Sequence, residues 1–206
     1  MPQLPLLILP ASQAESLPLV LMITGDGGWG LISRRLSKQF NRVNAPVVAL
    51  NSWHLFRRKK TPEEIAGILE SVLDKFMEQY HKDSFILAGY SFGADVIPFV
   101  LNRIQDHLLQ HCAGVVLFSP GVSTDFKLHL LQMLGKRHQW KYDVVKEIQV
   151  MKPVKTLFFF GDKEHHFPYD ILSRSDWQLI YLKGKHLYQK ETADIAMIIL
   201  ERLNIK

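Results

Sequence analysis

The sequence predicts an α/β chain, a mostly parallel, doubly wound sheet with helices on both faces. Three observations carry that prediction. Short apolar runs alternate with amphipathic stretches, as buried parallel strands alternate with the helices that cover them. The run Phe85–Ala88 leads into a Gly-x-Ser-x-Gly turn and then a helical pattern. A second glycine cluster, from Gly25 to Gly30, follows another apolar run. The chain's 206 residues suit one domain and are short for two. No repeat, low-complexity tract or linker divides it, so residues 1–206 read as a single domain.

Taken in order, strands are expected at Leu4–Leu9, Leu17–Ile23 and Pro46–Leu50, with an intervening helix at Leu31–Asn41. The next helix, Pro62–His81, has the clearest start: Thr61 as N-cap, Pro62 at the first helical position and Glu64 closing a capping box. Its apolar positions Ile65, Ile68, Leu69, Val72, Leu73 and Phe76 follow the helical period and give it a core face. A strand at Ser84–Ala88 then feeds a helix over Phe92–His111, in which Pro98 should kink the helix or leave a carbonyl needing another partner. Strands follow at Gly114–Phe118, Val154–Phe160 and Trp177–Leu182, and a last helix at Thr192–Leu203. The stretch Thr124–Val150 is polar and indistinct, and reads as an irregular excursion or small lid.

Composition narrows the function. With 47% hydrophobic and 22% charged residues the chain is ordinary for a globular protein, and no apolar run approaches the roughly 18–20 residues of a membrane span. Cys112 is the single cysteine, which excludes an internal disulfide and a zinc site built on cysteines. A net charge of +5 suits an anionic surface but falls short of a dedicated nucleic-acid binder, so no nucleic-acid partner is expected. The N-terminus lacks a basic region and its apolar run is broken by Pro5, so it is no signal peptide as it stands; a trimmed leader and a cytoplasmic protein both fit.

The chemistry centres on Gly89-Tyr90-Ser91-Phe92-Gly93. A strand running into Gly-x-Ser-x-Gly and then a helix presents the serine hydroxyl on a sharp turn, at a helix N-terminus where backbone N–H groups favour developing negative charge. A serine hydroxyl needs a base and an oriented acid, which in this architecture follow in the order Ser, acid, His. His186 stands just after the last expected strand. For the acid, Glu164 fits the register set by Gly161 and Pro168, and Asp162, nearer the strand, is the alternative. The N–H of Phe92 and an N–H of Asp26 or Gly27 would form the oxyanion hole. The 24–30 cluster lacks the Gly-Lys-Ser/Thr ending of a phosphate-binding loop. It spells GxGxxG, but Trp29 crowds the helix entry and no ribose-binding acid follows, so no dinucleotide is expected. His165 and His166 are adjacent and tend to point apart, with no HExxH pattern beside them, so neither metal nor cofactor is expected.

Gly25-Asp26-Gly27-Gly28-Trp29, Lys60-Thr61-Pro62-Glu63, Gly89-Tyr90-Ser91-Phe92-Gly93-Ala94-Asp95-Val96 and Asn102-Arg103 occur in that order. On these motifs the chain resembles the bacterial virulence protein VirJ / AcvB family. The resemblance implies an α/β-hydrolase fold with minimal or no cap, a periplasmic location, and a serine hydrolase acting on aminoacylated phosphatidylglycerol. The family's serine maps onto Ser91 and its Gly-Asp loop onto Gly25 to Trp29. Family members often carry a cysteine soon after the acidic turn, where this chain has none. Asp26, Asp95, Trp29 and Tyr90 are the candidate substrate-binding residues, the two aspartates as partners for an ammonium. The basic run Arg57-Arg58-Lys59-Lys60 reads as a solvated loop or as a contact with anionic headgroups. Two further readings stand beside this one: a general carboxylesterase or thioesterase on the same triad, and a binding or scaffold protein associated with type IV secretion components. The sequence leaves the oligomeric state open.

Overall fold

The alternating apolar runs assemble into a seven-stranded sheet in the computed structural model, which describes residues 4–11, 17–128, 140–188 and 194–205. Its strands are β1 (Leu6–Leu9), β2 (Leu19–Ile23), β3 (Val47–Leu50), β4 (Phe85–Tyr90), β5 (Cys112–Phe118), β8 (Thr156–Gly161) and β9 (Trp177–Leu182). A separate pair, β6 (Ser123–Thr124) and β7 (Tyr142–Asp143), is antiparallel. The large sheet runs β1-β3-β2-β4-β5-β8-β9. It is parallel throughout except at its edge, where β1 pairs antiparallel with β3, Leu6 opposite Leu50.

The helices are α1 (Leu31–Arg42), α2 (Ser52–Leu55), α3 (Pro62–Tyr80), α4 (Phe92–Arg103), α5 (Asp106–Leu109), α6 (Val144–Gln149) and α7 (Ile195–Leu203). Because parallel strands are covered on both faces, alternate residues of one strand enter two cores. Leu19, Leu21 and Ile23 of β2, with Phe158 and Phe160 of β8, pack under α3, α4 and α6. Val20 and Met22, with Leu157 and Phe159, pack under α1 and α7.

Several elements differ from the expectation. The helix expected over Phe92–His111 is two helices. Its chain turns extended at Ile104 (φ −59°, ψ 141°), and the Gln105 amide that follows donates to Glu70 Oε1 at 2.8 Å. A carboxylate on α3 thus takes an amide that a continuous helix would have bonded internally. The helix does run through Pro98 without interruption. The stretch Thr124–Val150 holds more order than its polarity implied, although 129–139 lies outside the described residues. Its end forms α6, which Asp143 caps by accepting from the Lys146 amide, and which buries Val144 and Ile148. Asn102 and Arg103 of α4 bond Glu147 of α6, so this helix belongs to the core layer rather than to a lid.

Candidate active site

The carboxyl ends of β2, β4, β5, β8 and β9 share one edge of the sheet. The Gly25–Gly30 loop, the Gly89–Gly93 turn, the Asp162–Glu164 turn and His186 leave from β2, β4, β8 and β9. Ligand sites of open parallel sheets form at that edge. At the end of β4, Ser91 sits at φ 52°, ψ −119°, backbone that side-chain-bearing residues rarely adopt. The flanking glycines follow from packing. A Cβ on Gly89 would approach the Gly93 carbonyl oxygen to 2.5 Å, and one on Gly93 would run into the Ile23 carbonyl. The Ser91 amide donates to Phe118 O of β5 at 2.8 Å and so anchors the turn.

Ser91 Oγ lies 2.8 Å from His186 Nε2, and His186 Nδ1 lies 2.9 Å from Glu164 Oε1. An ionised carboxylate only accepts hydrogen bonds, so the network assigns the imidazole proton to Nδ1 and leaves Nε2 to accept from the serine. Glu164 is 5% exposed. Burial pushes its pKa up, but hydrogen bonds from His186, Ser119 and the Gly161 amide outweigh burial and hold the carboxyl below its ordinary value. Asp162 does not occupy this place: it is exposed, and its Oδ1 accepts from the Gly184 amide at 2.9 Å. Two residues along the turn, Glu164 is the carboxylate that points inward.

Two residues that the sequence did not flag complete the surroundings of the acid. Ser119, at the end of β5, places Oγ 2.6 Å from Glu164 Oε2 and 2.6 Å from the Tyr188 hydroxyl. Their only sequence signal was position: Ser119 ends its strand as Ser91 ends β4, and Tyr188 lies two residues past His186. Tyr90 is buried, and its hydroxyl donates to the His186 carbonyl at 3.0 Å with the rings 5.3 Å apart. That geometry makes Tyr90 a support for the His186 turn.

The loop after β2 turns sharply, the Gly28 amide donating to Gly25 O at 2.9 Å. Gly28 takes φ +62°, and a Cβ there would strike the Asn51 side chain. Thr24 and Ser52 tie this loop to α2 by two hydrogen bonds of 2.9 and 2.6 Å. The Gly27 amide donates to Asp26 Oδ1 at 2.8 Å. Trp29 is half-buried against the α1 and α7 core, its carbonyl accepting from Arg34 Nε. Phe92 opens α4, so its amide has no carbonyl one turn earlier to bond within the helix. Asp95, also in the first turn of α4, accepts from the Gly121 amide at 2.6 Å. Burial, reinforced by the nearby Asp26 carboxylate, pushes its pKa up to about 8.

Solved structures with this architecture include several hydrolases. Est1E from Butyrivibrio proteoclasticus, with ferulic acid bound, superposes with a TM-score of 0.65 at 13% identity, covering 97% of this chain and 95% of that one. MenH from S. aureus gives 0.66 at 15% identity, covering 97% of each chain. XC6422 from Xanthomonas campestris, a serine hydrolase described as lacking a lid, gives 0.63 at 17% identity, covering 97% of this chain and 87% of that one. Identities this low establish the fold, which is that of the α/β-hydrolases. No curated protein matches the chain. The family model of the bacterial virulence protein VirJ spans residues 18–206, from just ahead of β2 through every residue discussed in this site. The chain belongs to the VirJ family.

Proposed function

We propose that the protein is a serine ester hydrolase that removes the aminoacyl group from aminoacylated phosphatidylglycerol, lysyl- or alanyl-, at an anionic membrane surface of the periplasm. The observation that carries the hydrolase reading is the unbroken chain of hydrogen bonds from Ser91 through His186 to Glu164. In this mechanism His186 takes the Ser91 proton as Oγ attacks the ester carbonyl, and Glu164 stabilises the imidazolium. The oxyanion is received by the Phe92 amide and by an amide of the 24–30 loop. Gly27's amide is bonded to Asp26, so Asp26's own amide is the second donor. His186 then protonates the departing lipid hydroxyl, and water releases the amino acid from Ser91.

The substrate class rests on two features. Asp95 and Asp26 are carboxylates close enough to raise Asp95's pKa, and an ammonium placed between them would relieve that repulsion. Leu31, Val122 and Leu187 are exposed large apolar residues. They adjoin, respectively, the 24–30 loop, Gly121 and His186, where a lipid would be met. The test is amino-acid release from vesicles carrying lysyl- or alanyl-phosphatidylglycerol, with Ser91→Ala as control and a fluorophosphonate as active-serine probe. Release and labelling are expected from wild type and from neither with Ser91→Ala. Labelling without release from either lipid overturns the substrate; no labelling overturns the hydrolase.

A further inference from the structure

We propose that Ser119 and Tyr188 are positioning residues, a directed hydroxyl relay that locks the Glu164 carboxylate onto His186; this rests on the hydrolase reading above. Glu164 uses Oε1 for His186, and its other oxygen receives the Gly161 amide at 2.6 Å and Ser119 Oγ at 2.6 Å. A hydroxyl has one proton and a carboxylate has none to give, so Ser119 donates to Glu164. Tyr188, 2.6 Å from Ser119 Oγ, is then the donor to Ser119, since its other acceptor, Phe159 O, is 3.5 Å away. The protons therefore point one way, from Tyr188 to Ser119 to Glu164. With both carboxylate oxygens engaged, the group cannot rotate away from the imidazole. Because Tyr188 follows His186 by two residues, the relay also ties the turn that carries the base to the one that carries the acid.

The backbone points the same way. Ser119 and Tyr188 take φ 48° and 43°, in the left-handed region that residues with side chains avoid. Among the described residues, other non-glycine positions of this kind are Asn44, Phe126, His81 and Asn204, the last two capping helices, and Ser91 itself. Strain of this sort persists where surrounding structure imposes it, and it concentrates at functional sites. Ser119 is 1% exposed and Tyr188 7%, so a hydroxyl removed from either is not replaced by bulk water.

The test uses full-length wild type, Ser119→Ala, Tyr188→Phe and the double variant, assayed with p-nitrophenyl acetate and by the downfield proton resonance of His186 Nδ1. Ser119→Ala is expected to lower kcat by about 10- to 100-fold, the scale of a lost hydrogen bond to a charged group, with KM unchanged. Tyr188→Phe should lower it less, and the double variant should match Ser119→Ala, because the relay is already broken at its middle. Additive losses, or a Ser119→Ala kcat within about twofold of wild type, overturn the relay. If Ser119→Ala does not fold by circular dichroism, Tyr188→Phe, which keeps the ring, decides: its resonance must shift, and an unshifted one overturns the proposal. Wild type that neither turns over ester nor labels with fluorophosphonate overturns the hydrolase reading, and the resonance still reports separately on the relay.

Discussion

Glu164 and Asp162 stand two residues apart on one turn, and their opposite surroundings make them separable by substitution. Glu164→Gln removes the charge that steadies the imidazolium and is expected to lower kcat by roughly 10⁴. Asp162→Asn keeps an acceptor for the Gly184 amide and should cost far less in rate. The reverse order in ester assays would make Asp162 the acid. Asp95 adds a pH signature. Its carboxyl titrates near 3.9 when unfolded and at about 8 when folded, so the folded state holds the proton more tightly between those values. The stability this gives is full below the lower value and is lost as pH rises through the upper one. Asp95→Asn, which keeps an acceptor for the Gly121 amide, should therefore gain in thermal midpoint over wild type from pH 5 to pH 9. A gain independent of pH would mean an ordinary Asp95. The same proton competes with a substrate ammonium. The ratio of kcat/KM for a cationic ester to that for a neutral ester, which cancels the shared dependence on the base, should therefore rise towards pH 8. Ser91 and His186 were legible from sequence because nucleophilic chemistry imposes an order along the chain. The Gly161 and Pro168 register favoured Glu164 there but left Asp162 as an alternative, because which carboxylate turns inward depends on packing. Ser119 and Tyr188 were invisible because a lone hydroxyl at a strand end makes no pattern until the strands are side by side.

The elements whose signals were local were read correctly, and α3 is the clearest case. Thr61 Oγ1 accepts from the Glu64 amide at 3.2 Å, and Glu64 Oε2 accepts from the Thr61 amide at 2.7 Å. Thr61→Ala should cost about 1 kcal/mol in a denaturant titration while leaving turnover unchanged. A loss of turnover would connect the cap to the site. Where a distant partner decides, the sequence was silent. At the break between α4 and α5 the Gln105 amide is taken by Glu70, 35 residues upstream. Helix α6 carried a usable signal, Asp143 as cap and Val144 and Ile148 one turn apart, but surrounding polar residues masked it. The turn from β4 into α4 shows the opposite limit, a motif dictated by contact alone. Gly93→Ala would drive a methyl into β2's final carbonyl, and the expected outcome is insoluble protein or a strongly lowered thermal midpoint. A soluble variant of wild-type stability would show that α4 can shift away from the sheet.

At the scale of the whole molecule, the net charge of +5 matters through where it is concentrated. Arg57 and Arg58 are exposed, and with Lys60 and His54 they line a cavity of about 600 Å³ whose apolar walls include Leu55 and Ile68. Lys59 already leans towards Asp125 at 3.9 Å and should contribute least. Neutralising Arg57, Arg58, Lys59 and Lys60 together is expected to weaken binding to anionic vesicles by a few kcal/mol at most, at about 1 kcal/mol per basic residue. The attraction should fall steeply with salt, and hydrolysis of a soluble ester should stay the same. Sedimentation with vesicles decides it, and equal binding by both proteins would make the basic run an ordinary solvated loop.

The sheet order also has a consequence for the protein's birth. Ser91 and the imidazole it meets, that of His186, are separated by 95 residues. At about 5–20 residues per second, a ribosome needs on the order of ten seconds to make that stretch. Through that interval β4 and its sharp turn can already exist, but the base has not been made, and on the proposed mechanism the hydroxyl is inert. Reactivity arrives only once β9 has paired with β8 and carried His186 into reach. A growing chain is therefore harmless to the esters around it, and a message truncated ahead of His186 yields a serine that cannot react.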